Sequence, residues 1–220
     1  MLQPFTLKFL KDLKKNNNKS WFDDNRKNYE SARSDFNALT EKLIASISSF
    51  DPPIGSLMVK ECVFRINRDV RFSKDKKPYK NNMACYFNKN GKKGSGAGYY
   101  LHIEPGNSMV AGGIWMPESS DLTKIRQEID YSFSDWKKLI ADKSFKKTFT
   151  EGITSNENLV RPPKGYDEDN EAIKYLKMKS FIVTKFFTDK ELLSKNFITE
   201  VSKTFKTMKT LIDFLNTALV

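Results

Sequence analysis

The run Tyr99-Tyr100-Leu101-His102-Ile103, followed by Pro105-Gly106-Asn107 and then Met109-Val110-Ala111-Gly112-Gly113-Ile114-Trp115, decides the fold class. Two apolar, β-rich stretches flank Pro-Gly. Those residues suit the two central positions of a type II turn, because proline presets the first φ and glycine accepts the positive φ of the second. A hairpin follows. Upstream, Cys62, Phe64 and Ile66 alternate against Val63, Arg65 and Asn67, and Met83-Ala84-Cys85-Tyr86-Phe87 forms another apolar run. Both read as strands. Gly91, Gly94, Gly96 and Gly98, with Lys92 and Lys93, make a flexible connection into the hairpin, and Phe181-Ile182-Val183-Thr184 reads as a further strand.

Helical spacing frames this middle region. Thr6 stands as a cap before Leu7, Leu10 and Leu13, and Asn16-Asn17-Asn18 ends that helix. Ser20 with Asp23 opens a longer one, in which Tyr29, Ala32, Phe36, Leu39, Leu43 and Ile47 recur until Asp51-Pro52-Pro53. Ser120 or Asp121 caps a helix through Leu122, Ile125 and Ile129, and another segment surrounds Trp136, Leu139 and Ile140. Thr188 with Glu191 is a capping-box pair. Last comes the clearest stripe, Phe197, Val201, Phe205, Met208, Leu211 or Ile212, and Leu215. Terminal helices around a meandering antiparallel sheet define an α+β domain, expected to span residues 1–220 as one unit, with no internal repeat.

The chain of 220 residues is long enough to bury a core without staples. Cys62 and Cys85 sit in apolar runs and read as buried free thiols in a reducing compartment. The N-terminal residues show no uninterrupted apolar region followed by a small-residue cleavage site, and no run reaches the length of a membrane span, so the expected location is cytoplasmic. A formal net charge of +11 favours anionic partners, either a small molecule or a nucleic acid, although lysines spaced like Lys203, Lys206 and Lys209 are the pattern of a solvated helix face.

The charge is concentrated. Residues 60–80 carry eight bases and three acids, and three of the seven arginines lie in Arg65-Ile66-Asn67-Arg68-Asp69-Val70-Arg71-Phe72, just before Ser73-Lys74-Asp75-Lys76-Lys77-Pro78-Tyr79-Lys80. Guanidinium is the group for bidentate recognition of phosphate or carboxylate. One reading is therefore a ligand site formed by Arg65, Arg68, Arg71, Lys76, Tyr79 and Lys80, with Asp69 or Asp75 as general base. The other is a structural network in which Asp69 and Asp75 neutralise the arginines. The two coexist if Arg68, which shares its parity with Phe64, Ile66, Val70 and Phe72, is paired internally while the others face a ligand.

Other candidates are weaker. Gly94-Ser95-Gly96-Ala97-Gly98 leads into a strand, whereas phosphate-binding glycine loops lead into a helix N-terminus. His102 is the only histidine, which argues against a histidine-based zinc site. Its alternation with Tyr100 and Glu104 fits a solvent-facing or hydrogen-bonded structural histidine, or a general acid–base group. Carboxylates at Asp69, Asp75 and Glu104 are too scattered to define a Mg²⁺ or Mn²⁺ site. Gly112-Gly113 marks either a close backbone approach or close helix packing. Trp21, Phe22 and Tyr29 read as core. No residue pattern assigns a metal, a cofactor or an oligomeric state.

The segment Arg65 to Tyr79 fits RxxRDxRF, two residues, then DKxxY, and so resembles the motif of the family catalogued as domain of unknown function 2461. Phe9-Leu10, Asn16 to Asn18, Trp21-Phe22, Tyr29, the Tyr99 to Glu104 strand, Gly112-Gly113-Ile114-Trp115, and Arg161 with Pro163-Lys164-Gly165-Tyr166 extend the resemblance over nearly the whole chain. It implies no catalytic roles. It marks Arg65, Arg68, Asp69, Arg71, Phe72, Asp75, Lys76 and Tyr79 as the functional centre. Three functional expectations result: an arginine-centred site for a phosphorylated or other anionic ligand, with or without catalysis; a non-catalytic nucleic-acid module that adds Lys92, Lys93, Lys137, Lys138, Lys146 and Lys147; or a motif that is purely structural.

Overall fold

Pro4 starts the first helix, α1 (Pro4–Lys15), in a computed structural model that describes residues 1–220. Proline at the first turn loses no hydrogen bond, since that N–H has no intrahelical acceptor. Thr6 therefore lies inside α1, where its hydroxyl donates to Asp35 at 2.6 Å. Asn18 caps α2 (Lys19–Asp24) by accepting from the Trp21 N–H. Asp23 has no capping role and binds Arg26. The long helix expected from Ser20 is broken at Asn25, after which α3 (Arg26–Ser48) carries the apolar stripe. A 3₁₀ turn at Pro52–Ser56 follows.

Where a strand through Cys62, Phe64 and Ile66 was expected, the chain forms α4 (Val59–Cys62), closed by a bond from the Met58 N–H to the Glu61 carboxylate. Beyond it only two isolated bridges form, Val63 with Cys85 and Asn67 with Tyr79. Three residues separate the bridges on one side, 64–66, and five on the other, 80–84, so the two bridges do not share a register and no continuous ladder joins them.

Strands β1 (Met83–Phe87), β2 (Gly98–Ile103) and β3 (Ser108–Ile114) follow, then α5 (Ser119–Tyr131), α6 (Phe133–Ala141), α7 (Lys143–Thr148) and α8 (Ile173–Leu176). Strand β4 (Phe181–Phe187), α9 (Asp189–Leu192) and α10 (Phe197–Thr217) complete the chain. Helix α5 begins after Glu118 without the side-chain cap expected from Ser120 or Asp121. Helix α9 has the expected capping box, Thr188 with Glu191. The protein is α+β, with an antiparallel sheet in the order β1-β2-β3-β4, a simple meander.

The expected turn forms at Pro105-Gly106. Gly106 has φ +78°, and the Asn107 N–H donates to the Glu104 carbonyl at 2.9 Å. Asp189 accepts from the Gly106 N–H at 2.8 Å and is itself paired with Lys11. This fixes Glu104 at the end of β2. Both readings of the glycine pair hold. A Cβ on Gly112 would come 2.5 Å from the Met208 sulfur, and one on Gly113, at φ +123°, would collide with the Phe181 carbonyl oxygen.

The residues cluster into two compact units. The first contains Met1–Lys92, Tyr100–Val110 and Phe186–Lys203; in it α3 packs on α1, α2, α4 and β1, burying Leu10, Leu13, Phe36 and Leu43. The second contains Lys93–Tyr99, Ala111–Lys185 and Thr204–Val220, with buried Trp136 meeting Tyr175, Phe181 and Phe214 edge-on or tilted. Burying one such large apolar side chain contributes about 1.5–3 kcal/mol. Cys62 and Cys85 are buried and free. No helix is long and apolar enough to cross a membrane.

Candidate functional site

The motif folds as a loop pinned at its base by Tyr79. Asn17 accepts from the Tyr79 N–H at 3.1 Å and donates to its carbonyl at 2.9 Å, so one side-chain amide satisfies both backbone groups. Phe22 stacks on the Tyr79 ring with centroids 4.0 Å apart. Asn17 and Phe22 thus anchor the motif, while Trp21 stacks on Phe9. Across the base, the Arg68 N–H donates to the Pro78 carbonyl and the Lys80 N–H to the Ile66 carbonyl.

Within the loop most charges are used internally. Arg68 donates to Asp75 at 2.8 Å, to the Lys77 carbonyl at 3.0 Å and to the Ser73 hydroxyl at 3.3 Å. Arg71 grips Asp69 with its Nε and Nη2, at 3.0 and 2.7 Å. Lys76 donates to the Val70 and Arg71 carbonyls. The Arg71 guanidinium holds the Asp69 carboxyl below its ordinary pKa, and the Lys77 N–H followed by Arg68 does the same for Asp75. Both carboxylates are consequently weakened as bases. At the tip Phe72 is 96 % exposed, with the Arg71 guanidinium 5.8 Å from its ring centroid.

Arg65 and Lys80 are different. Arg65 is exposed with no carboxylate within ion-pairing distance, and Lys80 is half-buried with its Nζ 5.4 Å from the Phe64 centroid. Burial, and then the positive charge of Arg65, lower the pKa of Lys80. Two cations from facing segments therefore act on one another without an ion pair of their own, and the carboxylate that feels the Arg65 charge, Asp69, is paired with Arg71.

Beside them lies the polar face of β2. Tyr99, Leu101 and Ile103 are buried, while Tyr100, His102 and Glu104 alternate with them and are partly accessible. The Tyr100 ring lies 6.4 Å from Phe64. Its hydroxyl is 3.1 Å from His102 Nδ1, and His102 Nε2 is 3.2 Å from a Glu104 carboxylate oxygen. Lys14 pairs with the other Glu104 oxygen at 3.3 Å. The alternation of these residues was visible in the sequence; their linkage into one chain, and its place beside Phe64 and Lys80, was not.

No three His, Cys, Asp or Glu side chains converge as metal ligands would. The glycine-rich connection runs into β2 without an intervening helix. A groove of about 470 Å³ in the second unit, lined in part by Asp135, Asp142, Asp213 and Phe214, includes no motif residue.

Fold and site together define an α+β protein with a self-braced, arginine-rich loop beside an open sheet face. The chain belongs to the family described as conserved hypothetical protein DUF2461, whose profile matches residues 5–214. No curated protein and no solved structure matches it.

Proposed function

We propose that the protein binds a phosphate-bearing anionic ligand through Arg65 and Lys80, on a platform held in shape by Arg68, Asp75, Lys76 and Tyr79. One observation carries the reading: burial and then the charge of Arg65 lower the pKa of Lys80, and neither cation has an ion pair, because the nearby Asp69 is held by Arg71. Holding like charges together is unfavourable, and a bound anion removes that cost while gaining charge-assisted hydrogen bonds of about 1.5–3 kcal/mol each. Asp69 and Asp75 act here as braces for the arginines. Thermal-shift and calorimetric titration with inorganic phosphate, nucleotides and sugar phosphates tests the reading. A ligand at about 100 times its Kd adds roughly 2.7 kcal/mol to wild type. Arg65→Ala and Lys80→Ala should abolish that gain, and a gain that survives both substitutions rejects the site.

A second reading rests on Phe72. A fully exposed ring beside Arg71 suits stacking on an unpaired base, as in single-stranded nucleic acid. Affinity for an oligonucleotide would then fall with log salt at about −0.7 per phosphate contacted, and Phe72→Ala would weaken it. Salt-independent binding excludes this reading.

A further inference from the structure

We propose that Tyr100 is an activated nucleophile, with His102 as its base and Glu104 as the residue that positions the imidazole, acting on the phosphoryl group of the ligand held by Arg65 and Lys80. The choice of electrophile rests on the anion-binding reading; the activation of the phenol does not.

The direction of the hydrogen bonds follows from charge. Burial acts to raise the pKa of Glu104, but the bonds from His102, Lys14 and Asn107 outweigh it and hold the carboxyl below its ordinary value. An ionised carboxylate has no proton to donate, so the hydrogen lies on His102 Nε2, and Nδ1 offers its lone pair to the Tyr100 O–H. Carboxylate, imidazole and hydroxyl in this order form the arrangement that activates a weak hydroxyl nucleophile. At rest the phenol stays protonated, since burial pushes its pKa up to about 12. It needs a base at the moment of attack, and His102 stands 3.1 Å away.

In the step, the Tyr100 oxygen bonds to phosphorus as its proton passes to His102 Nδ1. The bond from phosphorus to the leaving oxygen breaks, and the imidazolium returns the proton to that oxygen. Tyr100, His102 and Glu104 are each partly accessible, the last two with 12% and 18% of their side-chain surface exposed. The Phe64 ring centroid lies 5.4 Å from the Lys80 Nζ and 6.4 Å from the centroid of the Tyr100 ring, so the ammonium and the phenol flank the same side chain.

A purely structural chain predicts the opposite reactivity, because a buried phenol of raised pKa should react more slowly than Tyr131, which is 92% exposed. The test is labelling with an arylsulfonyl fluoride, which esterifies phenols with loss of fluoride, read residue by residue by peptide mass spectrometry. Tyr100 should be labelled about 10-fold faster than Tyr131, a modest share of what a positioned base supplies. His102→Asn and His102→Gln should each remove that advantage, and inorganic phosphate should protect Tyr100 but not Tyr131. Tyr100 labelled no faster than Tyr131 overturns the proposal, and this comparison within the wild-type protein needs no variant to fold. A rate unchanged by either His102 substitution also overturns it. Labelling that requires His102 but is indifferent to phosphate upholds the activated phenol and rejects the phosphoryl ligand. Phosphate binding that depends on Arg65, without enhanced labelling, rejects the nucleophile and leaves the anion site standing.

Discussion

Tyr79 ties the motif to the helices, because its backbone is held by Asn17 and its ring by Phe22. Tyr79→Ala should cost about 3 kcal/mol, as removal of a large buried aromatic does, measured by urea unfolding. Arg71 is bound to Asp69 in water, with 76% of its side chain exposed, so Arg71→Ala should leave the melting temperature unchanged. Arg68→Ala should instead speed amide exchange across residues 69–77, because three bonds of the loop converge on that guanidinium. Glu104 supplies a pH signature. Its folded pKa lies below the unfolded value of about 4.3, so its contribution to stability is complete above that value and is lost as the pH falls through the folded pKa. Glu104→Gln should therefore flatten the acid limb of the stability profile, measured by unfolding from pH 6 down to about pH 3. The residue types needed for this site were legible in the sequence. Their pairing was not: three arginines and two aspartates within eleven residues allow several matches, and the hairpin-like closure of Arg68 on Pro78 selects one.

Among the elements, the β2–β3 hairpin was the most legible, because its turn is written in local backbone chemistry. Two of its glycines separate conformational from packing constraint. Gly106→Ala meets no atom and should cost only the left-handed backbone preference, about 1–2 kcal/mol. Gly113→Ala meets the Phe181 carbonyl at an unfavourable φ and should cost about 3 kcal/mol or more, since the backbone of β4 must move. Thermal melts of the two variants give the comparison, and equal losses would contradict the close approach. The failed strand at residues 62–67 has the converse cause. Its alternation was genuine, and Phe64 and Ile66 do bond to the segment opposite, but two extra residues on that side, within 80–84, shift the register between the bridges and no ladder propagates. Likewise the long helix from Ser20 divides at Asn25, whose side chain donates to the Trp21 carbonyl.

On a larger scale, α3 packs on α4 and β1, which carry the fully buried Cys62 and Cys85. Burial pushes the Cys62 thiol up to about 11 and Cys85 upward as well. A thiol reagent such as Ellman's should thus find no reactive group in the native protein and two after denaturation; rapid native reaction would contradict the packing. Periodicity and turn chemistry in the sequence determined the apolar stripes of the longer helices, the hairpin, the α+β class and the concentration of positive charge, because each depends on neighbours within a few residues. The division into two compact units was not visible, because strands and the last helix contribute to both and leave no break in composition. Only the tertiary structure decided that Arg68 and Arg71 are braced within their own loop while Arg65 and Lys80 form no ion pair. It also brought Phe64 within 5.4 Å of the Lys80 Nζ and 6.4 Å of the Tyr100 ring. Such relations range from Arg68 with Asp75 in one loop to Phe64 with Tyr100 across the strands, and they are set by strand pairing and side-chain packing, of which hydrophobic spacing along a chain carries no record.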